Sequence, residues 1–196
     1  MTELARLRAP VFAAEGIQRI PLETFRLEVR GCVNRPLGFS LSQLKKEFRS
    51  STASSRLTSV SGWSVRVDWD GILWRDFLPQ IKVASHATHA LFHSAEVYTT
   101  CVSFDDLDRS TSMLVWGVCG EPLEEEYGAP LRMVVPNLWG YKSCKWLKTI
   151  EILDHYKPGY WETRGYTDSG TIEPGKTVDI NTKTTRTIAG GEVTDF

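Results

Sequence analysis

The sequence predicts a mixed α+β domain. Short alternating or β-branched apolar runs recur along the chain, and only a few stretches carry apolar residues at helical spacing. Strands interleaved with a few short helices fit a β-rich mixed architecture better than a doubly wound sheet, and no internal repeat is visible.

Phe25–Gly31 (FRLEVRG) alternates and ends at glycine, which makes it a strand running into a turn at Asn34–Pro36. Ser40 then precedes LSQLKKEF, whose Leu41, Leu44 and Phe48 fall on one helical face, so a capped helix is expected. Val65–Trp69 reads as a strand, Leu73–Ile81 as a second short helix and Ala90–His93 as a strand, while Ser103–Asp108 opens a helical turn. Leu114–Val118 is a further strand, as is Leu131–Val135, which Pro136 stops. Leu147–Leu153 (LKTIEIL) alternates cleanly. Beyond Tyr166 the composition turns to Thr, Gly, Asp and Lys, with almost no large apolar side chain until Phe196. Residues 1–166 are therefore expected to form the main domain, and 167–196 an extended tail without a core of its own. That tail either wraps the domain, adds a strand to a neighbour or stays partly disordered.

A chain of 196 residues with 41% hydrophobic content can bury one substantial core. Its net charge is −1 and its basic residues form no run, so no nucleic-acid partner is expected. The apolar stretches fall well short of the roughly 20 residues that span a bilayer. Met1–Pro10 carries neither a secretory apolar region nor a paired-arginine export signal, so a cytoplasmic location is expected. Cys32, Cys101, Cys119 and Cys144 are widely spaced with no CxxC pair, which fits reduced core thiols.

Arg132 interrupts the apolar run 131–135, and a guanidinium there needs an anion, since burying an unpaired charge costs several kcal/mol. Its partner is either one of Glu124, Glu125 and Glu126 or a ligand phosphate, with Lys145 as a second cation within reach. His86, His89 and His93 have a spacing that a metal site could use on a helix, but Ala90–His93 reads as a strand and no cysteine or carboxylate completes a tetrahedral set. The seven tryptophans are core residues or the walls of an aromatic cleft.

Five blocks add a more specific reading: GWS at Gly62–Ser64, FHSAEVYTT at Phe92–Thr100, GAPLRMVVP at Gly128–Pro136, GYKSCKWL at Gly140–Leu147 and WETRGY at Trp161–Tyr166. In order and spacing they resemble the molybdopterin-binding domain of the sulfite oxidase and bacterial methionine sulfoxide reductase catalytic subunit family, over roughly Pro10–Tyr166. The resemblance implies that family's fold, a molybdenum–molybdopterin cofactor, and oxygen-atom transfer on a small sulfur-containing or related oxo substrate. It implies that Arg132, Ser143, Cys144 and Lys145 contact the cofactor, with Gly140 allowing close backbone approach. Ser94 stands where the bacterial reductase uses a threonine against the cofactor, and Tyr127 where relatives carry asparagine or histidine against the pterin. From the residues alone, Ser94 could equally be a strand hydroxyl bonded to backbone.

Tyr166 lies where sulfite oxidases place a tyrosine beside the molybdenum oxo group, so it is the expected catalytic residue. Ser59, in LTSVSGWS, occupies the position of the family's cysteine ligand to molybdenum, replacing a soft thiolate by a hard hydroxyl. Two readings follow: an oxidoreductase with Ser59 at the metal, or a catalytically silent domain that keeps a molybdopterin- or anion-binding pocket. Arg6, Arg8 and Arg56 are candidates for recognising an anionic substrate. No CxxCH haem motif occurs, so the electrons would pass through a separate protein or a soluble carrier.

Overall fold

The computed structural model describes residues 2–14, 16–108, 111–178 and 183–191. Its elements run in chain order α1 (Glu3–Arg6), β1 (Leu27–Gly31), β2 (Leu37–Phe39), α2 (Leu41–Glu47), β3 (Ser51–Ser59), β4 (Trp63–Leu73) and α3 (Trp74–Phe77). They continue with β5 (His89–Ser94), β6 (Thr99–Ser103), α4 (Phe104–Asp108), β7 (Met113–Val118), β8 (Glu121–Pro122), β9 (Arg132–Val134), β10 (Leu147–Leu153), β11 (Gly175–Val178) and β12 (Thr185–Ile188).

Two five-stranded sheets form the body. The first has the order β2-β1-β10-β5-β6; the second runs β3-β4-β7-β8, with β9 also paired to β7. Only β1 and β10 are parallel in the first sheet, and every pair in the second is antiparallel. This is the mixed, β-rich α+β architecture that the sequence predicts.

Alternation assigns the faces of the second sheet. On β7, Leu114 points into a large core shared with Val29, Phe92, Ile150 and Ile152 of the first sheet, whereas Met113 and Val115 point the other way. On β9, Met133 joins the large core, while Arg132 and Val134 face the second side. That second side buries Trp69, Val67 and Val118 against Leu4 and Ala9 of the N-terminal segment and Leu123 and Tyr127 of the loop after β8.

The helical expectations meet local chemistry. Ser40 builds a capping box with Gln43, accepting from its N–H at 3.2 Å while the Gln43 side chain accepts from the Ser40 N–H at 2.9 Å. The expected helix 73–81 is a single α turn followed by a 3-10 turn over Leu78–Ile81, with proline at its start and left-handed Lys82 ending it. In the part of the tail that is described, β11 and β12 form a hairpin, and Ile172 and Ile188 close on Trp139 as a small satellite cluster. Leu138 also bridges Thr171.

Phe92 is fully buried on β5 and meets the Trp74 ring edge-on at 5.9 Å between centroids. Phe92→Ala is expected to cost about 3–5 kcal/mol of unfolding free energy, read as a lower urea midpoint with an unchanged slope.

Candidate cofactor and active site

A cavity of about 300 Å³ opens where the ends of both sheets meet three loops and the N-terminal segment. Two cations line it. β9 delivers Arg132, which is 3% exposed and aimed at this side by the alternation that sends Met133 into the core. Its guanidinium donates to the carbonyls of Tyr127 at 2.8 Å, Ser143 at 3.4 Å and Met133 at 3.4 Å, and lies 5.7 Å from the Trp69 ring centre.

Lys145 joins it from the loop before β10, donating to the carbonyls of Phe12 at 2.6 Å and Glu126 at 3.1 Å. Gly128 lies between the two cationic stems at φ +108°, where a Cβ would stand 2.9 Å from Lys145 Cβ and 3.2 Å from Arg132 Cβ. Among the described residues no carboxylate forms an ion pair with Arg132 or Lys145. Glu124 instead accepts from Thr2, and Glu125 pairs with Arg19. Of the two partners open to Arg132 from sequence, the glutamate is therefore the one the structure does not supply.

Both cations carry the electrostatic mark of this arrangement. Burial lowers Arg132 to about 10. Burial first, then the neighbouring Arg132 charge, lowers Lys145 to about 7. A shared anion would relieve both effects, and phosphate suits a guanidinium and an ammonium side by side.

Hydroxyls line the same cavity. An isolated bridge between Thr58 and Trp139 fixes the end of β3 against the 140–145 loop and brings Ser59 to the cavity. Ser59 Oγ lies 2.9 Å from Ser61 Oγ and accepts from the Ser61 N–H at 3.2 Å. Ser94 lines the same cavity, its Oγ accepting from the Glu96 N–H at 3.2 Å. Ser143 also reaches the wall, with its Oγ accepting from the Val135 N–H at 3.0 Å.

Tyr166 lines the cavity as well. Its ring makes an edge-to-face contact with Tyr141 at 5.1 Å and leans on Trp161 at 5.0 Å. Tyr127 lines the cavity too, but its hydroxyl is spent on the N-terminal segment, donating to the Ala9 carbonyl at 3.1 Å.

The structure thus brings Ser59, Ser94, Tyr127, Arg132, Ser143, Lys145 and Tyr166 to one cavity and turns one expected contact away. Cys144 is fully buried in the large core, and its Sγ is directed at the Lys145 carbonyl at 3.4 Å, because residues 143 and 145 face the cavity and 144 faces inward. Cys101 is buried as well, and no cysteine lines the cavity. Arg6, Arg8 and Arg56 also line no part of it. His93 pairs with Glu151 at 2.9 Å and His89 with Thr88 at 2.7 Å, and the described residues hold no cluster of metal-ligating groups. Sequence reasoning passed over Tyr141, Trp161 and Phe12 as wall residues. The first two lie inside the matched blocks, whereas the segment holding Phe12 shows no periodic signal.

The family described as the oxidoreductase molybdopterin binding domain matches residues 14–161. The chain belongs to that family. Membership supplies the cofactor class, molybdenum–molybdopterin, to which the two cations and the glycine between them are suited. Among relatives, the chain is 36% identical to an uncharacterized oxidoreductase, YuiH of Bacillus subtilis, over 72% of either chain. It is 32% identical to the protein-methionine-sulfoxide reductase catalytic subunit MsrP of Gluconobacter oxydans, over 69% of this chain and 49% of that protein. The sulfane dehydrogenase SoxCD of Paracoccus pantotrophus shares the fold at a TM-score of 0.70 and 19% identity, over 90% of this chain and 47% of the other. The chain therefore spans about half the length of these last two proteins.

The depressed Lys145 sets a pH dependence. The unfolded side chain keeps its proton up to about 10.5 and the folded one releases it near 7, so the unfolded state binds more protons in between. Stability of the cofactor-free protein is expected to rise between about pH 7 and about pH 9. Lys145→Met should flatten this slope in urea titrations, and inorganic pyrophosphate should stabilise the parent protein but not Lys145→Met.

Proposed function

We propose that this chain is a molybdopterin-dependent oxidoreductase that transfers an oxygen atom on a small sulfur-containing or related oxo substrate. The observation that carries this reading is the lining of one cavity: buried Arg132 and half-buried Lys145, neither in an ion pair with a carboxylate among the described residues, together with Ser59, Ser94 and Tyr166. Arg132 and Lys145 would hold the phosphate of the cofactor, with Ser143 fixing the loop between them by its bond to the Val135 N–H. Ser59 would stand at the metal position. Bound there, the molybdenum centre would supply two-electron exchange with an oxygen atom.

The protein's own part is to bind, orient and exclude water. In reduction of a sulfoxide, two electrons and two protons convert the S–O group to a sulfide and water. Tyr166 would orient the substrate oxygen by donating its phenol proton in a hydrogen bond, its ring held between Tyr141 and Trp161. A neutral sulfoxide suits this cavity better than the sulfite dianion. Its walls are aromatic, and with Arg132 assigned to the cofactor phosphate no further arginine among the described residues lines it to meet an anionic substrate. MsrP, a protein-methionine-sulfoxide reductase by name, is consistent with that preference. A separate electron-transfer protein or carrier would supply the electrons.

One observation favours the second reading, a catalytically silent molybdopterin-binding domain. The Ser59 hydroxyl is already paired with Ser61, and no thiol reaches the cavity. Purification from a host that makes the cofactor separates the two. Molybdenum and pterin near one per chain, with turnover of dimethyl sulfoxide by a viologen donor, supports the enzyme. Pterin without turnover, with turnover gained in Ser59→Cys, establishes the silent domain, and absence of molybdenum and pterin sinks the enzyme and leaves a domain that binds some other anion. Arg132→Met is expected to lose pterin, and Tyr166→Phe to keep it while turnover per cofactor falls by roughly 100-fold.

A further inference from the structure

Beside the cavity lies a buried ion pair, neither member of which is among the lining residues. Lys142 is 0% exposed, and its Nζ donates to Glu162 Oε1 at 2.6 Å, to the Cys101 carbonyl at 3.0 Å and to the Asp168 carbonyl at 2.5 Å. Glu162 Oε1 also accepts from Thr100 Oγ1 at 2.8 Å, while its Oε2 is buried without a partner. The aliphatic stem of Lys142 packs so closely on Gly170 that a Cβ there would stand 2.5 Å from Lys142 Cγ.

The two partners belong to the two halves of the site. In the 140–145 loop, Tyr141, Ser143 and Lys145 face the cavity, and Lys142 faces inward between them. In the second half, Glu162 sits in the 3-10 turn whose neighbours Trp161 and Tyr166 face the cavity. That turn is one rigid unit, because the Trp161 carbonyl accepts from both the Arg164 and Tyr166 N–H groups, at 2.9 and 3.2 Å. β6 supplies a common floor: the Thr99 carbonyl accepts from the Tyr160 N–H at 2.8 Å, Thr100 holds Glu162, and the Cys101 carbonyl holds Lys142.

We propose that Lys142 and Glu162 are positioning residues, a buried clamp that fixes the Tyr166 turn against the cofactor loop. The inference rests on the cofactor reading of the cavity. A buried ion pair adds little net stability over apolar residues of the same volume, and an orphaned carboxylate oxygen subtracts from it. What the pair does supply is direction. Two apolar side chains would fill the volume without fixing how the loop and turn lie against each other, whereas the ammonium has three fixed acceptors on three segments. Displacement of a reacting group by about 1 Å can cost on the order of 100-fold in rate, so this registry matters to turnover rather than to folding.

The test replaces both charges together, so that neither is left buried alone. Lys142→Met with Glu162→Leu is expected to keep the far-UV spectrum, urea midpoint and pterin content of the parent. It should lose the near-UV circular dichroism of the Tyr141, Trp161 and Tyr166 cluster, with turnover per bound cofactor down by at least about tenfold. Unchanged near-UV dichroism and turnover overturn the clamp, as does a loss of activity that only tracks a loss of stability. Should the double variant fail to fold, Thr100→Val, which removes one of the two hydrogen bonds to Glu162 Oε1, must give the same dichroic change in weaker form or the proposal falls. A parent protein that binds no pterin defeats the cofactor reading alone, because the dichroic comparison still decides the clamp.

Discussion

Arg132 is a guanidinium held out of water on a three-residue strand, and the design of the site follows from keeping it there. Its donors are spread over the carbonyls of Tyr127, Met133 and Ser143, so the loop before β9, the strand itself and the loop before β10 are all drawn towards one side chain. None of these acceptors carries a full charge. The Arg132 charge is therefore hydrogen-bonded but has no carboxylate ion-pair partner among the described residues, and with burial it lowers Lys145 beside it. Gly128 is required for the same reason, since any side chain there would push the two cations apart. An anion reaching these cations meets donors already in place and loses little to reorganisation.

The hydroxyls of the same cavity bring a different chemistry. The cavity wall offers hydroxyls from Ser59, Ser61, Ser94 and Ser143, and the thiols of Cys101 and Cys144 are turned into the body. Hard oxygen donors at the metal position would tune a bound metal differently from a thiolate. The organic portion of the cofactor and the metal thus place separate demands on this chain. On the proposed reading, the first rests on charge and backbone geometry, and the second on the identity of residue 59.

Much of the architecture is legible from pattern because burial on one sheet face imposes period two. Leu147–Leu153 is read that way, the strand through Arg132 is read as a short apolar run stopped by Pro136, and Ser40 announces the start of α2. β3 is not legible. STASSRLTS carries few apolar residues, and it is a strand because Ser51–Ser59 pairs in full register with Ser51 opposite Gly71 and Ser59 opposite Trp63. The helix from Leu73 is shortened by Pro79 and by a left-handed residue at Lys82 that local spacing does not reveal. Residue blocks likewise placed Arg132, Lys145, Ser143 and Tyr166 in one site. They could not show that Cys144 turns away from its two neighbours, because that depends on which face of the loop meets the core.

The sequence by itself determined the class of fold, the cationic pair and the family to which the chain belongs. Each is written in local spacing or in ordered motifs, which survive without knowledge of what packs where. Only the tertiary structure decided that Arg132 has carbonyls rather than glutamates for partners, and that Phe12 of the N-terminal segment closes over Lys145. It alone also joins Lys142 to Glu162 across 20 residues of chain. These contacts bring together segments far apart in sequence, and their geometry is set by which faces the two sheets bury. No single stretch of residues encodes that choice.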